Sequence, residues 1–167
     1  YSEAAKDFDL ADMPSHTLVD LINKAGAKFT NRPALTTILP NGATGTVSYS
    51  ELLQHANHFA AYLRDVVKLS AGDTVAVMTP NCIDFAIACM GVAKAGCVAT
   101  NVNPLYTVPE LEHQLTDSKA KVLVIIDLFG DKVDAVIAQT GVKQVVTLSL
   151  LDFFPPAKKA LIGFVMK

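Results

Sequence analysis

The chain contains 167 residues, of which 51% are hydrophobic and 18% are charged. This length and composition predict one folded domain with a substantial core, and they argue against a disordered chain. The formal net charge is −2 and no basic stripe is interleaved with the Phe and Tyr residues, so nucleic acid is not expected as a partner.

The first elements in chain order are a helix and a β-hairpin. Thr17 is predicted to cap the helix. Five apolar residues then fall on one helical face at i, i+3, i+4, i+7 and i+11: Leu18, Leu21, Ile22, Ala25 and Phe29. Residues 34–39 and 46–48 have the composition of strands, and residues 41–45 between them are typical of a turn. Together they predict a β-hairpin.

A second helix is predicted to begin at Ser48. Ser48 and Glu51 have the spacing of a capping box, in which each side chain binds the backbone N–H of the other residue. The apolar residues that follow form one stripe, which should face the core: Leu52, Ala56, Phe59, Ala60, Leu63 and Val67.

The stretch 72–102 predicts a strand, a helix and a second strand. Residues 74–79 are a short valine-rich run, typical of a strand buried on both faces. Asn81 is predicted to cap the following helix with support from Asp84, and Gly96 to end it, because glycine tolerates the left-handed conformation after a last turn. Residues 97–102 predict the next strand.

A turn and three further elements complete the regular part of the chain. Residues 103–106 (NPLY) can be neither strand nor helix throughout, and Thr107 with Glu110 predicts a capping box for a new helix. Residues 122–126 are the most hydrophobic run, residues 128–140 look helical, and residues 144–148 predict a last strand.

Valine-rich runs thus begin near residues 74, 98, 122 and 145, with a helical segment between each pair. This alternation predicts an α/β fold with a mostly parallel sheet, flanking helices and the β-hairpin. The predicted domain boundaries are an extended segment at 1–16, an α/β subdomain at 17–149, and a helix within 150–167.

Neither cysteine nor histidine spacing predicts a metal site. Cys82, Cys89 and Cys97 form no CxxC pair, and small buried thiols in a reducing compartment are the favoured interpretation. His55 and His58 lie three residues apart on a predicted helix without a carboxylate at matching spacing, which favours a solvated helix face. No residue is therefore assigned to a metal.

The two ends of the chain bear on localisation. Residues 1–12 lack the pattern of a secretory signal, and no run reaches the ~18 apolar residues that a membrane span requires. Residues 158–167 begin with two lysines and continue with several apolar residues, which is consistent with a helix on a membrane surface or with one that docks on protein. The expectation is a cytoplasmic protein with peripheral membrane contact.

Four segments carry a resemblance to a known family. Residues 47–52 (VSYSEL) and 93–99 (AKAGCVA) resemble the first two core motifs of the AMP-forming adenylating enzymes. Residues 101–107 (NVNPLYT) and 110–115 (ELEHQL) are most similar to the long-chain fatty acid–CoA ligases within that superfamily. The similarity extends from about residue 18 to about residue 148, in the order and spacing of the family.

This resemblance implies a fatty acid–CoA ligase that uses ATP, Mg²⁺ and CoA, with an acyl-adenylate as intermediate. The Ser/Thr/Gly-rich phosphate loop, the metal-binding Thr-Glu pair, the ribose aspartate and the lysine of a mobile C-terminal domain are not found in this sequence. The chain is therefore expected to be an N-terminal portion with no catalytic residues of its own. We expect it to be inactive and to bind none of these cofactors tightly.

The resemblance also implies a site and partners. By position, the turn near the nucleotide end of CoA would comprise Asn103, Pro104, Leu105, Tyr106 and Thr107, with free N–H groups of the next helix facing a CoA phosphate. The alternative is a rigid turn that packs Leu105 and Tyr106 into the core. Expected partners are fatty acid, CoA and the remainder of the polypeptide, and an uncovered sheet edge predicts self-association.

Two other functions remain compatible with the sequence. The absence of catalytic motifs would suit a free-standing α/β binding module without chemistry. The apolar residues after Lys158 and Lys159 would suit a membrane-surface adaptor.

Overall fold

A computed structural model describes residues 11, 13, 15–156 and 159. Within them, the helices are α1 (Leu18–Phe29), α2 (Tyr49–Ala61), α3 (Ile83–Lys94), α4 (Val108–Asp117) and α5 (Asp131–Val136). The strands are β1 (Pro33–Ile38), β2 (Thr44–Ser48), β3 (Thr74–Met78), β4 (Val98–Asn101), β5 (Ala120–Ile126) and β6 (Gln144–Leu148). A π-helical turn, Tyr62–Val66, extends α2.

The predicted parallel sheet is confirmed. Its strand order is β4-β3-β5-β6, and all three pairings are parallel. The chain leaves β3 toward one side to form β4, and then crosses to the other side of β3 to form β5. Consequently α3 packs on one face of the sheet, whereas α4 and α5 pack on the opposite face.

Each face of the sheet has its own core, because successive side chains of a strand point to opposite faces. In β3, Val75 and Val77 pack with α2 and α3, and Ala76 and Met78 pack with α4 and α5. All four are at most 1% exposed. This burial on both faces explains why the run is hydrophobic without alternation.

The β-hairpin is also confirmed, with a second strand that begins at Thr44, earlier than predicted. β1 and β2 pair antiparallel, and the pairing ends at Ile38 and Thr44. Asn41 Oδ1 accepts a hydrogen bond from the N–H of Ala43 at 3.0 Å, and Gly42 has φ +79°. Asn41 thus binds a backbone N–H two residues on and Gly42 adopts a positive φ, as these residue types commonly do in turns.

The predicted helix start at Asn81 is wrong. The N-cap of α3 is Cys82, whose side chain makes no capping hydrogen bond. The N–H of Ile83 instead donates to Thr37 Oγ1 of β1 at 3.0 Å, in a buried contact. A residue 46 positions away thus supplies the acceptor that a local cap usually provides. The predicted starts at Thr17 and Ser48 are confirmed.

The apolar face predicted for α1 is partly wrong. Leu18 and Leu21 are 58% and 51% exposed, whereas Ile22 and Gly26 are buried. The backbone at Gly26 lies so close to α2 that a Cβ there would meet Leu53 Cδ1 at 1.9 Å. The close approach of α2 at Gly26 determines which face of α1 is buried. The periodicity of the large apolar residues does not determine it.

The helix predicted at 128–140 is interrupted. It consists of a 3₁₀ turn at Asp127–Phe129, α5, and a second 3₁₀ turn at Ile137–Gln139. Gly130 separates the first two pieces, and a glycine there has low helix propensity. The N–H of Gly130 donates to the Asp127 carbonyl, in the i→i+3 pattern of the tighter helix.

The predicted segments at the two ends lie largely outside the described residues. Of 1–16, residues 11, 13, 15 and 16 are described, and of 150–167, residues 150–156 and 159 are described. Within the described part of the chain, no helix is long and apolar enough to cross a membrane.

Candidate functional site

The carboxyl ends of the four parallel strands place four connecting segments at one edge of the sheet. These segments are residues 79–82, 103–107, 127–129 and 149–154. β3 and β5 are neighbours, yet the helices that follow them lie on opposite faces. Ligands of open α/β sheets bind in the crevice at such a point. This edge is therefore the first candidate place for a site.

The turn after β4 is ordered by its own side chains. Asn103 Oδ1 accepts a hydrogen bond from the N–H of Leu105, and the N–H of Tyr106 donates to the carbonyl of Asn103, both at 3.0 Å. Tyr106 packs against the core beside α4 and α5, whereas Leu105 is 79% exposed. The alternative that both side chains enter the core is thus correct for Tyr106 and wrong for Leu105.

A lysine from another element holds this turn. Lys132 Nζ of α5 donates to the carbonyls of Pro104 and Tyr106, at 3.0 and 2.7 Å. The same Nζ lies 5.6 Å from the ring centroid of Phe129. The role of Lys132 was not predicted from the sequence, because no local pattern connects residues 26 positions apart.

The start of α4 carries a negative charge of the chain itself. Glu110 Oε2 accepts hydrogen bonds from Thr107 Oγ1 at 2.7 Å and from the N–H of Thr107 at 2.8 Å. The hydroxyl and the backbone N–H of Thr107, together with Lys132, hold the pKa of Glu110 below its usual value. An anionic ligand at these N–H groups would lie beside an ionised carboxylate.

We predict that Lys132→Met loosens the turn while the fold persists. Loss of two charge-assisted hydrogen bonds should lower the free energy of unfolding by about 1–2 kcal/mol. It should also raise amide hydrogen exchange at Leu105 and Tyr106. Exchange followed by NMR measures the second effect. Lys143→Met is the control, since Lys143 lies in the loop before β6, and exchange at the turn should stay unchanged.

A second candidate place is a cavity of about 190 Å³ between α2, α3 and the segment after β6. Three polar side chains line it, those of His55, Asp84 and Asp152. The remaining lining residues are apolar: Phe59, Ile87, Ala88, Val124, Leu148 and Phe153. Asp84 was expected only to support a helix start. It is 5% exposed, and burial together with the negative charge of Asp152 raises its pKa to about 6.

The segment after β6 closes one side of this cavity. The ring of Phe153 lies edge-on to His55, with 5.1 Å between the centroids. Asp152 accepts a hydrogen bond from the N–H of Ser149 and pairs with Lys159 at 2.7 Å. A Cβ on Gly45 would lie 2.6 Å from the carbonyl oxygen of Phe153, so glycine lets this segment pass close to β2.

The cysteines are free thiols, and each is half-buried. Burial raises the pKa of Cys82, Cys89 and Cys97, so the neutral thiol is favoured at physiological pH. No group of three or more His, Cys, Asp or Glu side chains in the part of the chain that the structure describes could hold a metal ion.

Comparisons with known proteins agree with the fold. The sequence profile of the AMP-binding enzyme family matches residues 22–164. The chain belongs to this family of AMP-binding enzymes.

Several curated relatives are long-chain-fatty-acid–CoA ligases. The chain is 35% identical over 164 residues to a long-chain-fatty-acid–CoA ligase of Escherichia coli O157:H7, covering 94% of this chain and 28% of the relative. It is 32% identical over 155 residues to the ligase of the same name from Bacillus subtilis strain 168, covering 93% and 27%. The chain thus spans little more than a quarter of these relatives.

Solved structures of CoA ligases share the fold. A long-chain-fatty-acid–CoA ligase from Archaeoglobus fulgidus superimposes with a TM-score of 0.70 at 25% identity, covering 84% of this chain and 30% of that one. An anthranilate CoA ligase in complex with anthranoyl-AMP gives a TM-score of 0.75 at 21% identity, covering 87% and 28%.

Proposed function

We propose that the chain is the amino-terminal part of a long-chain fatty acid–CoA ligase. The observation that carries this proposal is the 35% identity across 94% of the chain to a ligase of that name. The reaction would join a fatty acid to CoA with conversion of ATP to AMP and pyrophosphate. A carboxylate is a poor electrophile, and adenylation turns one of its oxygens into part of a leaving group.

The residues present fit a supporting role in this reaction. The printed sequence contains no Ser/Thr/Gly-rich loop that ends in Lys-Gly, so we assign none of its residues to ATP or Mg²⁺. We propose that the two sheet faces and the turn after β4 position later parts of the polypeptide and one end of CoA. By this proposal the 167 residues alone are inactive.

Fatty-acid-dependent exchange of radiolabelled pyrophosphate into ATP tests the proposal. The protein encoded by the whole reading frame should catalyse exchange with palmitate, and the 167-residue chain should not. Robust exchange by the pure 167-residue chain would overturn its assignment as inactive. An intact reading-frame product without acyl-CoA formation would instead favour a binding module.

We further propose that the turn after β4 contacts CoA, with Tyr106 as its anchor. Tyr106 is held by the core on one side and by Lys132 through its carbonyl, so its position is rigid. Exposed Leu105 at the tip would meet the ligand. A phosphate contact at the start of α4 is disfavoured by the charge of Glu110, so an apolar or stacking contact is the favoured form.

Tyr106→Ala in the whole enzyme tests this contact. We expect the KM for CoA to rise about tenfold, because loss of the anchoring ring displaces Leu105 at the tip, and a lost contact of about 1.4 kcal/mol is a tenfold change in affinity. The KM values for ATP and palmitate should change little. Tyr106→Phe is the matched control and should behave as the parent. An unchanged KM for CoA in Tyr106→Ala would leave the turn a purely structural element.

Localisation and association are proposed from the sequence pattern. We place the ligase in the cytoplasm, with peripheral membrane contact through residues 158–167 and self-association through an uncovered sheet edge. The exposed Val98 in edge strand β4 supports the second idea.

A further inference from the structure

The cavity beside Asp84 has the size and lining of a small-molecule site. Its volume of about 190 Å³ exceeds the ~150 Å³ of an apolar protein cavity that accepts benzene. Phe59 and Phe153 supply aromatic surface on two sides, and Ile87 supplies aliphatic surface. One ring-sized or short branched apolar group would therefore fit.

The described negative charges at the cavity outnumber the positive charge paired with them. Asp84 of α3 is nine-tenths buried and forms no ion pair with the described residues. Asp152 also faces the cavity, and its carboxylate is already paired with Lys159. His55 of α2 is the remaining titratable group in the lining. Among the described residues, the cavity thus offers one buried carboxylate that forms no ion pair.

We propose that this cavity binds a compact organic ammonium ion, with its charge at Asp84 and its apolar body against Phe59 and Phe153. A buried carboxylate is costly unless it is paired, and a ligand cation would supply the pair. Aromatic faces attract ammonium groups in addition. A metal cation fits less well, because the lining is mainly apolar and offers few oxygen ligands.

This site is independent of the proposed ligase function. It lies on the face of the sheet that packs with α2 and α3, whereas the turn after β4 leads to α4 on the opposite face. Binding is therefore measured directly on the chain, without reference to acyl-CoA formation. A failure of the ligase proposal would leave the binding result unaffected.

Titration calorimetry with benzylammonium at pH 7.5 tests the proposal, with benzyl alcohol as the neutral probe of the same shape. We expect one site for the ammonium and at least tenfold weaker binding of the alcohol. Asp84→Asn should weaken the ammonium at least tenfold while leaving the alcohol unchanged. Asp134→Asn, an exposed position on α5, is the matched control and should bind as the parent.

A cavity-filling variant and a carboxyl titration test the proposal further. Ala88→Leu should fill the cavity and abolish both probes while thermal unfolding shows a folded chain. The ¹³C carboxyl resonance of Asp84 should titrate at lower pH when benzylammonium is present. Equal affinity for the two probes, or an Asp84→Asn variant that keeps ammonium affinity, would reduce the site to an apolar cavity and overturn the proposal.

Discussion

Asp84→Asn is expected to raise the free energy of unfolding at pH 7.5 by about 2–3 kcal/mol. In the folded chain, burial and the nearby charge of Asp152 raise the pKa of Asp84 from 3.8 to about 6. The amide resembles the protonated carboxyl in shape, and it avoids the cost of a buried negative charge. The variant therefore keeps the packing of this side chain without the free-energy cost of a buried negative charge.

The sign of the pH dependence follows from proton binding. Between pH ~4 and ~6 the folded state binds more protons at Asp84 than the unfolded state, so stability from this group falls as pH rises. Above pH ~6 Asp84 is ionised in both states, and the loss of stability from this group is complete. A difference of about two pKa units corresponds to about 3 kcal/mol. The advantage of the variant should disappear below pH 4.

Other carboxylates act in the opposite direction and at lower pH. Hydrogen bonds hold the pKa of Glu51, Asp73 and Glu110 below their usual values, so their stabilisation is lost as pH falls below about 4. Subtracting the Asp84→Asn profile from that of the parent removes these contributions, which both proteins share.

Urea unfolding followed by circular dichroism at pH values from 4 to 8 measures the difference. Asp134→Asn serves as the control, since its exposed side chain should leave the profile unchanged. A constant difference between Asp84→Asn and the parent across this range would contradict the assigned charge state of Asp84. An Asp84→Asn variant that is less stable than the parent at pH 7.5 would also contradict this charge state.

Gly91→Val is expected to lower the free energy of unfolding by about 3 kcal/mol or more. Gly91 lies in the contact between α2 and α3. A Cβ at this position would lie 2.7 Å from Phe59 Cδ1, 3.0 Å from Phe59 Cβ and 3.1 Å from the Ala56 carbonyl oxygen. The last two atoms cannot move without moving α2, so the helices must separate.

A pair of alanine variants separates this effect from helix propensity. Gly91→Ala and Gly26→Ala each gain about 1 kcal/mol of intrinsic helix stability. At Gly26 a Cβ meets only the side chain of Leu53, which can change rotamer, so that variant should be neutral or stabilised. Gly91→Ala should be destabilised by about 1 kcal/mol, because the clash outweighs the gain.

Thermal unfolding of these variants measures the effect. The Gly91 variants should also disturb the cavity beside Asp84, since Phe59 lines that cavity and is the first side chain that they displace. A Gly91→Val variant as stable as the parent would show that α2 and α3 tolerate separation.

The fold was largely predictable from the sequence, because its signals are local or periodic. The capping boxes at Ser48 and Thr107 involve residues three positions apart, and both form as predicted. Valine-rich runs identified the strands of the parallel sheet, and the order of motifs identified the family. Elements with competing tertiary contacts deviated, as at Asn81 and on the face of α1, and the helix predicted at 128–140 is interrupted at Gly130.

The candidate sites were less predictable. The position of the turn after β4 was evident, but the lysine that holds it was not. Asp84 was interpreted as a helix-start residue, because its place near the start of a helix is typical of one. Its burial is contributed by residues of α2 and of the segment after β6, which no window around Asp84 contains.

The sequence by itself determined where the chain forms helices and strands, that the strands lie parallel, and which family the chain belongs to. Those properties depend on residues within a few positions and on a repeating pattern. Only the tertiary structure decided which face of α1 is buried, that Lys132 holds the turn, and that Asp84 lies in a cavity. Burial and charge depend on distances in space, and the contact of Lys132 with Tyr106, for example, joins residues 26 positions apart.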